Sequence, residues 1–297
     1  MTAAEAEAPG GDSQPAGERT YFIDAEEAAE LARLMQQDRL VTEAMGGLLP
    51  ELEALPSAAQ VLDLACGPGG WALEMAFRYP KAEVIGVDLS PSIVDYANAQ
   101  ARSRGLSNVQ FAAMNITQPL AFADASFDLI NARFLAGFMR PQDWPRLLTE
   151  CRRLLKPGGV IRLTESEWGL TTSPATQRYY ALCSEALKRA GQSFSPDGHH
   201  LGITPMLAPL LRQAGFEDVR LRGGALEWSS GTPQHYSTFK NIFVMFDLLK
   251  PFLVRTGVVS PEEVEPLYQQ AVAEMQADDF CAVWTWLTVW GQKPTTT

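Results

Sequence analysis

Cysteine is scarce in this sequence, and its few copies follow neither a disulfide nor a zinc-binding pattern. Cys66, Cys151, Cys183 and Cys281 are scattered over 297 residues, and none of them forms a Cys-x-x-Cys pair. Small secreted domains and zinc modules both need closely spaced cysteines. The sequence therefore predicts reduced thiols in a cytoplasmic protein, without structural disulfides.

Histidine is scarcer still, with three copies in the whole chain. No set of His, Asp and Glu residues recurs at a spacing that would supply the ligands of a metal ion. We predict no metal site.

Basic residues are also few: the chain has 24 Lys and Arg residues against 35 Asp and Glu residues, which gives a net charge of −11. A protein that binds nucleic acid chiefly through its phosphates needs an excess of basic residues. The sequence also lacks a run of about 18 apolar residues and a basic-then-apolar leader. These absences favour a small-molecule substrate over a nucleic acid or a membrane as partner.

The most informative stretch is residues 61–70, VLDLACGPGG, which predicts an apolar strand followed by a glycine-rich turn. Gly67 and Gly69 have no Cβ, so the backbone of the turn can approach a bound ligand closely. A second apolar strand, residues 82–88, ends in Asp88. A carboxylate at the tip of the neighbouring strand is well placed to accept hydrogen bonds from the two hydroxyls of a ribose.

Two interpretations of this turn compete. The spacing Gly67-x-Gly69-x-x-Ala72, with Asp88 beyond it, satisfies a loose dinucleotide fingerprint and is typical of an NAD-dependent oxidoreductase. The order Asp-Leu-Ala-Cys-Gly-Pro-Gly, with Asp63 inside the strand before the glycines, instead resembles the first motif of class I S-adenosylmethionine-dependent methyltransferases. The sequence downstream favours the second interpretation.

Three later segments resemble the same family, in the family's order. Residues 144–155 have an amphipathic helical pattern and lead through Lys-Pro-Gly-Gly into a strand at 160–165. Residues 206–214 are predicted to be helical and lead through Gly-Phe into a strand at 218–221. The Val-Trp-Gly-Gln-Lys-Pro ending of a strand at 284–293 resembles the antiparallel last strand of small-molecule methyltransferases. The resemblance covers residues 61–166 and 205–293.

The resemblance implies an α/β fold and a cofactor. The expected fold is a Rossmann-like, seven-stranded, mostly parallel sheet with an antiparallel last strand and helical lid insertions, and the expected cofactor is S-adenosyl-L-methionine. The composition of the first residues predicts a disordered tail. The predicted divisions are the tail (1–19), an N-terminal lid-helix region (20–56), a cofactor-binding core (57–166, 205–228 and 280–293) and substrate-cap insertions (167–204 and 229–279).

The family's contacts with the methionine and ribose parts of the cofactor carry over to the first two strands. The resemblance implies Gly67 and Gly69 beneath the amino-acid moiety and Asp63 near its ammonium group. Asp88 is expected on the ribose hydroxyls.

The contacts with the adenine and the methyl group are expected at the next two strands. Leu89, Asn115 and Ile116 would surround the adenine, although the family usually has an Asp where this chain has Asn115. The amide of Asn115 can both donate and accept hydrogen bonds, so it is compatible with adenine. Arg133 ends a strand that, in the family, stops beside the methyl group.

An amphipathic helix is predicted from Asp24 to Met45, with Asp24 as its N-cap. This segment resembles the N-terminal part of many small-molecule methyltransferases, in which a helix closes over the cofactor as a lid. Tyr21 and Gln37 are then expected at the cofactor. The helix is alternatively a surface element packed on the core, or it docks on a neighbouring subunit in a homo-oligomer.

Methyl transfer is a direct displacement, so an enzyme that performs it chiefly aligns the reactants and excludes water. A base helps where the acceptor is a hydroxyl, and His is the side chain best suited to this near neutral pH. His199 and His200, in a cap insertion, are therefore candidate catalytic residues. Glu167, with Glu165 two residues before it, is a second candidate, and all four are alternatively ordinary polar residues.

The aromatic residues of the two insertions predict either a pocket for a flat or isoprenoid substrate or simple core packing. The resemblance implies transfer of a methyl group to O, N or C of a small, apolar natural product of secondary metabolism. Carbon methylation in an indole-terpenoid pathway of the teleocidin type is one specific form of this hypothesis. The alternatives outside this class are an NAD-dependent oxidoreductase and a cofactor-binding regulatory subunit without activity.

Overall fold

The computed structural model describes residues 28–52 and 54–295. A single sheet lies at its centre, with helices on both faces. The strands are β1 (Gln60–Leu64), β2 (Glu83–Asp88), β3 (Val109–Ala113), β4 (Phe127–Arg133), β5 (Leu155–Ser166), β6 (Leu170–Thr171), β7 (Glu217–Glu227) and β8 (Ala282–Gln292). The helices are α1 (Ala28–Ala44), α2 (Gly70–Arg78), α3 (Pro91–Ser103), α4 (Trp144–Leu154), α5 (Pro174–Arg189), α6 (Leu207–Gln213), α7 (His235–Arg255) and α8 (Pro261–Met275). The predicted tail and the predicted cap at Asp24 lie outside the described residues.

The strands follow the order β3-β2-β1-β4-β5-β8-β7, and the two-residue β6 continues the line of β5 along the same edge of β8. β1 to β5 pair in parallel, whereas β8 is antiparallel to the strands on both of its sides. The predicted fold class is therefore confirmed. An all-parallel sheet, which the NAD-dependent alternative predicts, is not what the described residues form.

β7 is longer than the sequence predicts, because it continues to Glu227 instead of ending at Leu221. The sequence signal fades at Gly223 and Gly224, which are poor strand formers. The long β8 supplies backbone partners along almost the whole of β7. The indole of Trp286 also fills the space that a side chain at position 224 would need.

The two faces of the sheet carry separate apolar layers, as the alternation of side chains along a strand requires. α2 and α3 cover one face, where Trp71, Met75 and Ala97 are buried. α4 and α6 cover the other face, where Leu148 and Leu211 are buried.

A third apolar cluster lies in the segments that interrupt the core. α5, α7 and α8 pack against one another there. The ring of Tyr179 stacks on Phe246 at 3.9 Å between centroids, and its hydroxyl donates to the Phe246 carbonyl at 2.6 Å. We call this helical cluster the cap.

A buried ion pair joins the segment after α1 to the middle of the sheet. Arg162 on β5 donates to Glu51 through Nε at 3.1 Å and Nη2 at 3.0 Å, and both side chains are 1% exposed. Its Nη1 donates to Asn131 Oδ1 at 2.8 Å. Burial lowers the pKa of Arg162, although Glu51 acts in the opposite direction. The guanidinium is therefore kept in the sheet only because its hydrogen bonds are satisfied.

We expect Glu51→Ala to lower the free energy of unfolding by about 3 kcal/mol, because it leaves a charged guanidinium buried without its partner. The matched control is Glu74→Ala, which removes the exposed partner of Arg78 on α2 and should cost less than about 1 kcal/mol. Urea unfolding of both variants gives the comparison. Equal losses of unfolding free energy in the two variants would show that the buried ion pair contributes no more stability than the exposed one.

Candidate functional site

The glycine-rich turn between β1 and α2 has the open backbone that the sequence predicts. Gly67 has φ +54°, and no atom lies within 4 Å of the position where its Cβ would be. Gly69 has φ +82°, and a Cβ there would lie 2.6 Å from the ring of Phe111. Gly67 is thus required by its left-handed conformation alone, whereas Gly69 also makes room for β3 packing. The outer side of the turn at Gly67 is free for a ligand.

Asp88, at the end of β2, lies against this turn. Its Oδ2 accepts the Gly67 N–H at 2.9 Å, and its Oδ1 accepts the Ser90 N–H at 3.1 Å. Burial raises the pKa of Asp88, and these hydrogen bonds act against that rise. Each carboxylate oxygen has a further lone pair. The carboxylate can therefore hold the turn and still accept a hydrogen bond from a ligand hydroxyl.

Asp63 is the first member of a row of polar side chains that crosses the sheet. Asp63 of β1, Asn131 of β4 and Arg162 of β5 are neighbours in register, so their side chains share one face. Asn131 Nδ2 donates to Asp63 Oδ1 at 2.7 Å. Burial raises the pKa of Asp63 to about 7, against the opposing effects of Arg133 and Asn131. The sequence indicated Asp63 but not its partners, because the register that joins them is set by the whole sheet.

Arg133, at the end of β4, connects the sheet to α1. Its Nη2 forms an ion pair with Asp38, and its Nη1 donates to Thr42 Oγ1 at 3.1 Å. Asp38 also lies against the turn, since a Cβ added at Gly70 would collide with its carboxylate. Asp38 was not among the predicted site residues, because nothing in the sequence of α1 distinguishes it from the other charged residues of the helix. α1 therefore lies over the glycine-rich turn.

The structure describes only one of the two residues predicted on the lid segment. Tyr21 lies outside the described residues. Gln37, on α1, accepts a hydrogen bond from Arg33 Nη1, and Arg33 also pairs with the buried Glu30. Gln37 is thus held on α1 beside the turn-facing Asp38.

The predicted adenine contacts lie beyond the ends of β2 and β3. Leu89 is 55% exposed. Asn115 is exposed, and its Oδ1 accepts hydrogen bonds from the Thr117 N–H at 2.9 Å and the Thr117 hydroxyl at 2.8 Å. Ile116 is buried among the apolar residues on the α4 side of the sheet.

The predicted catalytic candidates lie around one loop of the cap segment. His199 and His200 are exposed. The carboxylate of Glu167 accepts the N–H groups of Leu201 at 2.6 Å and Gly202 at 3.0 Å. Glu167 therefore fixes the loop that carries the two histidines. Their roles in catalysis stay predictions.

Glu165 has a different environment, inside the protein. It is 2% exposed, and its Oε1 accepts the N–H groups of Leu135 at 2.6 Å and Ala136 at 3.3 Å. Burial raises its pKa to about 8, against the effect of these two hydrogen bonds.

No cluster of three His, Cys, Asp or Glu side chains among the described residues could hold a metal ion. No helix in the described part of the chain is long and apolar enough to cross a membrane.

Known sequences and structures resemble this chain over both its core and its cap. A family model described as a methyltransferase domain matches residues 61–159. The methyltransferase pytC of Aspergillus terreus is 25% identical over 247 residues, which are 80% of this chain and 73% of pytC. A demethylmenaquinone methyltransferase of Geobacillus kaustophilus is 30% identical over 174 residues, which are 55% of this chain and 73% of that protein.

Among solved structures, phosphoethanolamine N-methyltransferase 2 of Haemonchus contortus, bound to phosphomonomethylethanolamine and S-adenosylhomocysteine, has the same fold. The TM-score is 0.57 at 18% sequence identity, and the match covers 92% of this chain but only 60% of that one. Identity this low supports the fold alone, whereas the sequence relatives and the geometry of the glycine-rich turn support the family. This chain belongs to the class I methyltransferases and uses S-adenosyl-L-methionine as its methyl donor.

Proposed function

We propose that this enzyme transfers a methyl group to O, N or C of a small, apolar natural-product acceptor. The observation that carries the proposal is that an open turn lined by Asp88 lies at the same end of the sheet as Phe134, which stacks on Trp284 of β8 beside the cap. Two sequence relatives support it, one named a fungal methyltransferase and one a demethylmenaquinone methyltransferase. Carbon methylation of an indole-terpenoid remains a narrower form of the proposal.

The residues around the turn fit the cofactor. Bound S-adenosyl-L-methionine supplies a methyl group on a positively charged sulfur, ready for displacement. Asp88 has free lone pairs for ribose hydroxyls, and the outer side of Gly67 is open. Asp63 is a buried acid that can face an ammonium group. These groups match the hydroxyl and amino parts of the cofactor in chemical type.

Arg133 is the basic group of the same edge, and we assign to it the carboxylate of the cofactor. It already pairs with a carboxylate, that of Asp38. Asp38 would then give up this contact when the cofactor binds. Because α1 carries Asp38, this exchange would link α1 to cofactor binding, and we take α1 as the lid helix of the enzyme.

The apolar side of the lid helix packs on the outer strands of the sheet, while Asp38 of the same helix lies against the turn. Val41 and Met45 pack with Leu226 and Trp286 of the outer strands. The far side of the helix is held by α7, since Gln36 Nε2 donates to the Ser237 carbonyl at 3.1 Å. Closure of this helix protects the displacement from solvent.

For a hydroxyl acceptor, we keep His199, His200 and Glu167 as the candidates for proton removal. The four hydrogen bonds that Glu167 receives from Leu201, Gly202 and Thr204 favour a role in fixing the loop. The exposed histidines are the members of the set with free access to solvent protons. For a carbon acceptor, the leaving proton can pass to water.

The direct test of the proposal is calorimetric titration followed by a transfer assay. The purified chain should bind S-adenosyl-L-methionine and show no heat with NAD. It should then transfer radiolabelled methyl from the cofactor to aromatic or isoprenoid acceptors of a test panel. Cofactor binding with no transfer to any acceptor, including the protein's own cellular extract, would instead support the inactive regulatory subunit.

We expect Asp88→Asn to weaken cofactor binding at least tenfold, because charge-assisted hydrogen bonds of about 1.5 to 3 kcal/mol each become neutral ones. Asn keeps an oxygen that can accept the Gly67 N–H, so the turn should persist. Glu83→Gln, at the exposed start of the same strand, is the control and should leave the dissociation constant unchanged. An unchanged constant in Asp88→Asn as well would remove Asp88 from the site.

Cofactor affinity should also depend on pH through Asp63. Because the pKa of Asp63 is raised to about 7, acidification below that value protonates it and removes its attraction for an ammonium group. The dissociation constant should rise by up to about tenfold per pH unit below pH 7. The stability of the ligand-free protein has the opposite trend, since a raised acid pKa favours the folded state at low pH and this contribution is lost as the pH rises through about 7.

The matched variant for this pH effect is Asp63→Asn. It should bind the cofactor weakly at every pH, with a flat profile between about pH 6 and pH 8. A profile in the variant as steep as that of the original chain would mean that another group causes the pH dependence.

A further inference from the structure

Phe134, the residue after Arg133, has an unusual backbone conformation. Phe134 has φ 59° and ψ 41°, the left-handed conformation that bulky residues rarely adopt. A short 3-10 turn, Leu135–Gly137, comes directly after it. Strain of this kind persists only where the surroundings impose it, and it is concentrated at functional sites.

The tip of β5 imposes this conformation. The Phe134 N–H donates to the Thr164 carbonyl at 2.9 Å, and the next two N–H groups, of Leu135 and Ala136, both donate to Glu165 Oε1. Consecutive N–H groups around a left-handed residue form a concave nest for acceptor oxygens, and Oε1 of the Glu165 carboxyl group fills it. A buried acid in this position is costly, as its raised pKa shows. A buried carboxyl group, that of Glu165, thus holds one strained residue in place.

The result of this strain is the position of the Phe134 ring. The ring stacks on Trp284 of β8, with 5.8 Å between centroids and 25° between planes. The Trp284 Nε1 donates to the Glu167 carbonyl at 3.2 Å, which fixes the second ring in turn. Both side chains are only partly buried. Two flat rings are therefore held in fixed positions and remain partly exposed to solvent.

These two rings lie where the lid helix, the sheet edge and the cap meet. Phe134 and Trp284 pack beside Val41 and Met45 of α1. Trp284 also packs against the apolar cluster of the cap. Phe134 is adjacent in sequence to Arg133, which we assign to the cofactor. A molecule enclosed by these three parts of the protein would lie against the rings and near the turn.

We propose that Phe134 and Trp284 form an aromatic wall of the acceptor site, and that this wall selects a planar, conjugated ring as the acceptor. Glu165 is a positioning residue, which acts through the backbone of Phe134. The inference rests on the proposed function and narrows its substrate class. Simple core packing of two aromatic rings would not require a left-handed phenylalanine or a carboxylate in a nest.

The test uses two probes with the same carbon skeleton and hydroxyl position, the planar 2-naphthol and the saturated, puckered trans-decahydro-2-naphthol. Their binding is measured by calorimetry on the full chain saturated with S-adenosylhomocysteine. The original chain should bind 2-naphthol more tightly than its saturated counterpart. Equal binding of the two probes, or binding of neither, would overturn the aromatic wall.

Substitutions of Phe134 and Trp284 test the aromatic wall itself, separately from Glu165, which supports it. Phe134→Leu and Trp284→Leu should each weaken the binding of 2-naphthol about fivefold, the scale of one aromatic stacking contact. The affinity for the saturated probe should change less than twofold. Trp284→Phe keeps a flat ring and should restore most of the preference. Equal weakening of both probes would indicate loss of packing only and would contradict the proposal.

Glu165 is tested by a pair of substitutions. Glu165→Gln keeps an oxygen for the Leu135 and Ala136 N–H groups and should keep the preference for 2-naphthol. Glu165→Ala empties the nest and should reduce the preference as far as Phe134→Leu does. Equal preferences in these two variants would remove Glu165 from the proposal.

S-adenosylhomocysteine affinity is measured in every variant. It should stay within twofold of the original value, because the wall does not hold the cofactor. Absence of S-adenosylhomocysteine binding in the original chain would instead contradict the cofactor site itself, so the two failures are distinguishable.

Discussion

The structure depends on one buried polar chain, which runs from Glu51 through Arg162 and Asn131 to Asp63. Each member hydrogen-bonds the next: the Arg162 guanidinium is paired with Glu51, whereas Asp63 has the neutral Asn131 amide as its partner and a raised pKa. The chain spans three adjacent strands on the face that α2 covers. It fixes the position of Asp63 at the end of β1. The position of the acid that we propose for the cofactor's ammonium group is thereby tied to the register of the sheet.

At the same edge, side-chain contacts connect α1, the strand ends and the cap. Arg133 connects α1 to β4, and the next residue, Phe134, faces β8. Glu165 and Glu167 lie two residues apart at the end of β5, yet they hold different segments: one binds the turn after β4, the other the histidine loop. Neighbouring acids at a single strand tip thus organise both the inner wall and the outer loop of the proposed acceptor site.

Much of the fold and part of the site could be predicted from the sequence. The glycine-rich turn and Asp88 are local in sequence, so their positions at strand ends follow from strand and turn patterns. Asn131 and Arg162 could not be assigned, because their roles depend on which residues lie opposite each other in a sheet assembled from distant strands. Asp38 was missed for a related reason, since the docking of an amphipathic helix is decided by tertiary packing. The predicted length of β7 was wrong, because pairing with the long β8 stabilises the strand in spite of Gly223 and Gly224.

The contact between α1 and α7 has a consequence for the order in which the molecule assembles. Arg33 exchanges hydrogen bonds with Asn241, which lies 208 residues further along the chain. The matched methyltransferase domain ends at residue 159, long before α7. During synthesis, the central sheet can begin to form while the helix that closes it still lacks its anchor. Contacts of such high sequence separation are slow to form, because a long loop must be closed first. α1 is therefore made well before α7 but is secured only once α7 has emerged, so its contacts with the rest of the molecule are completed late in synthesis.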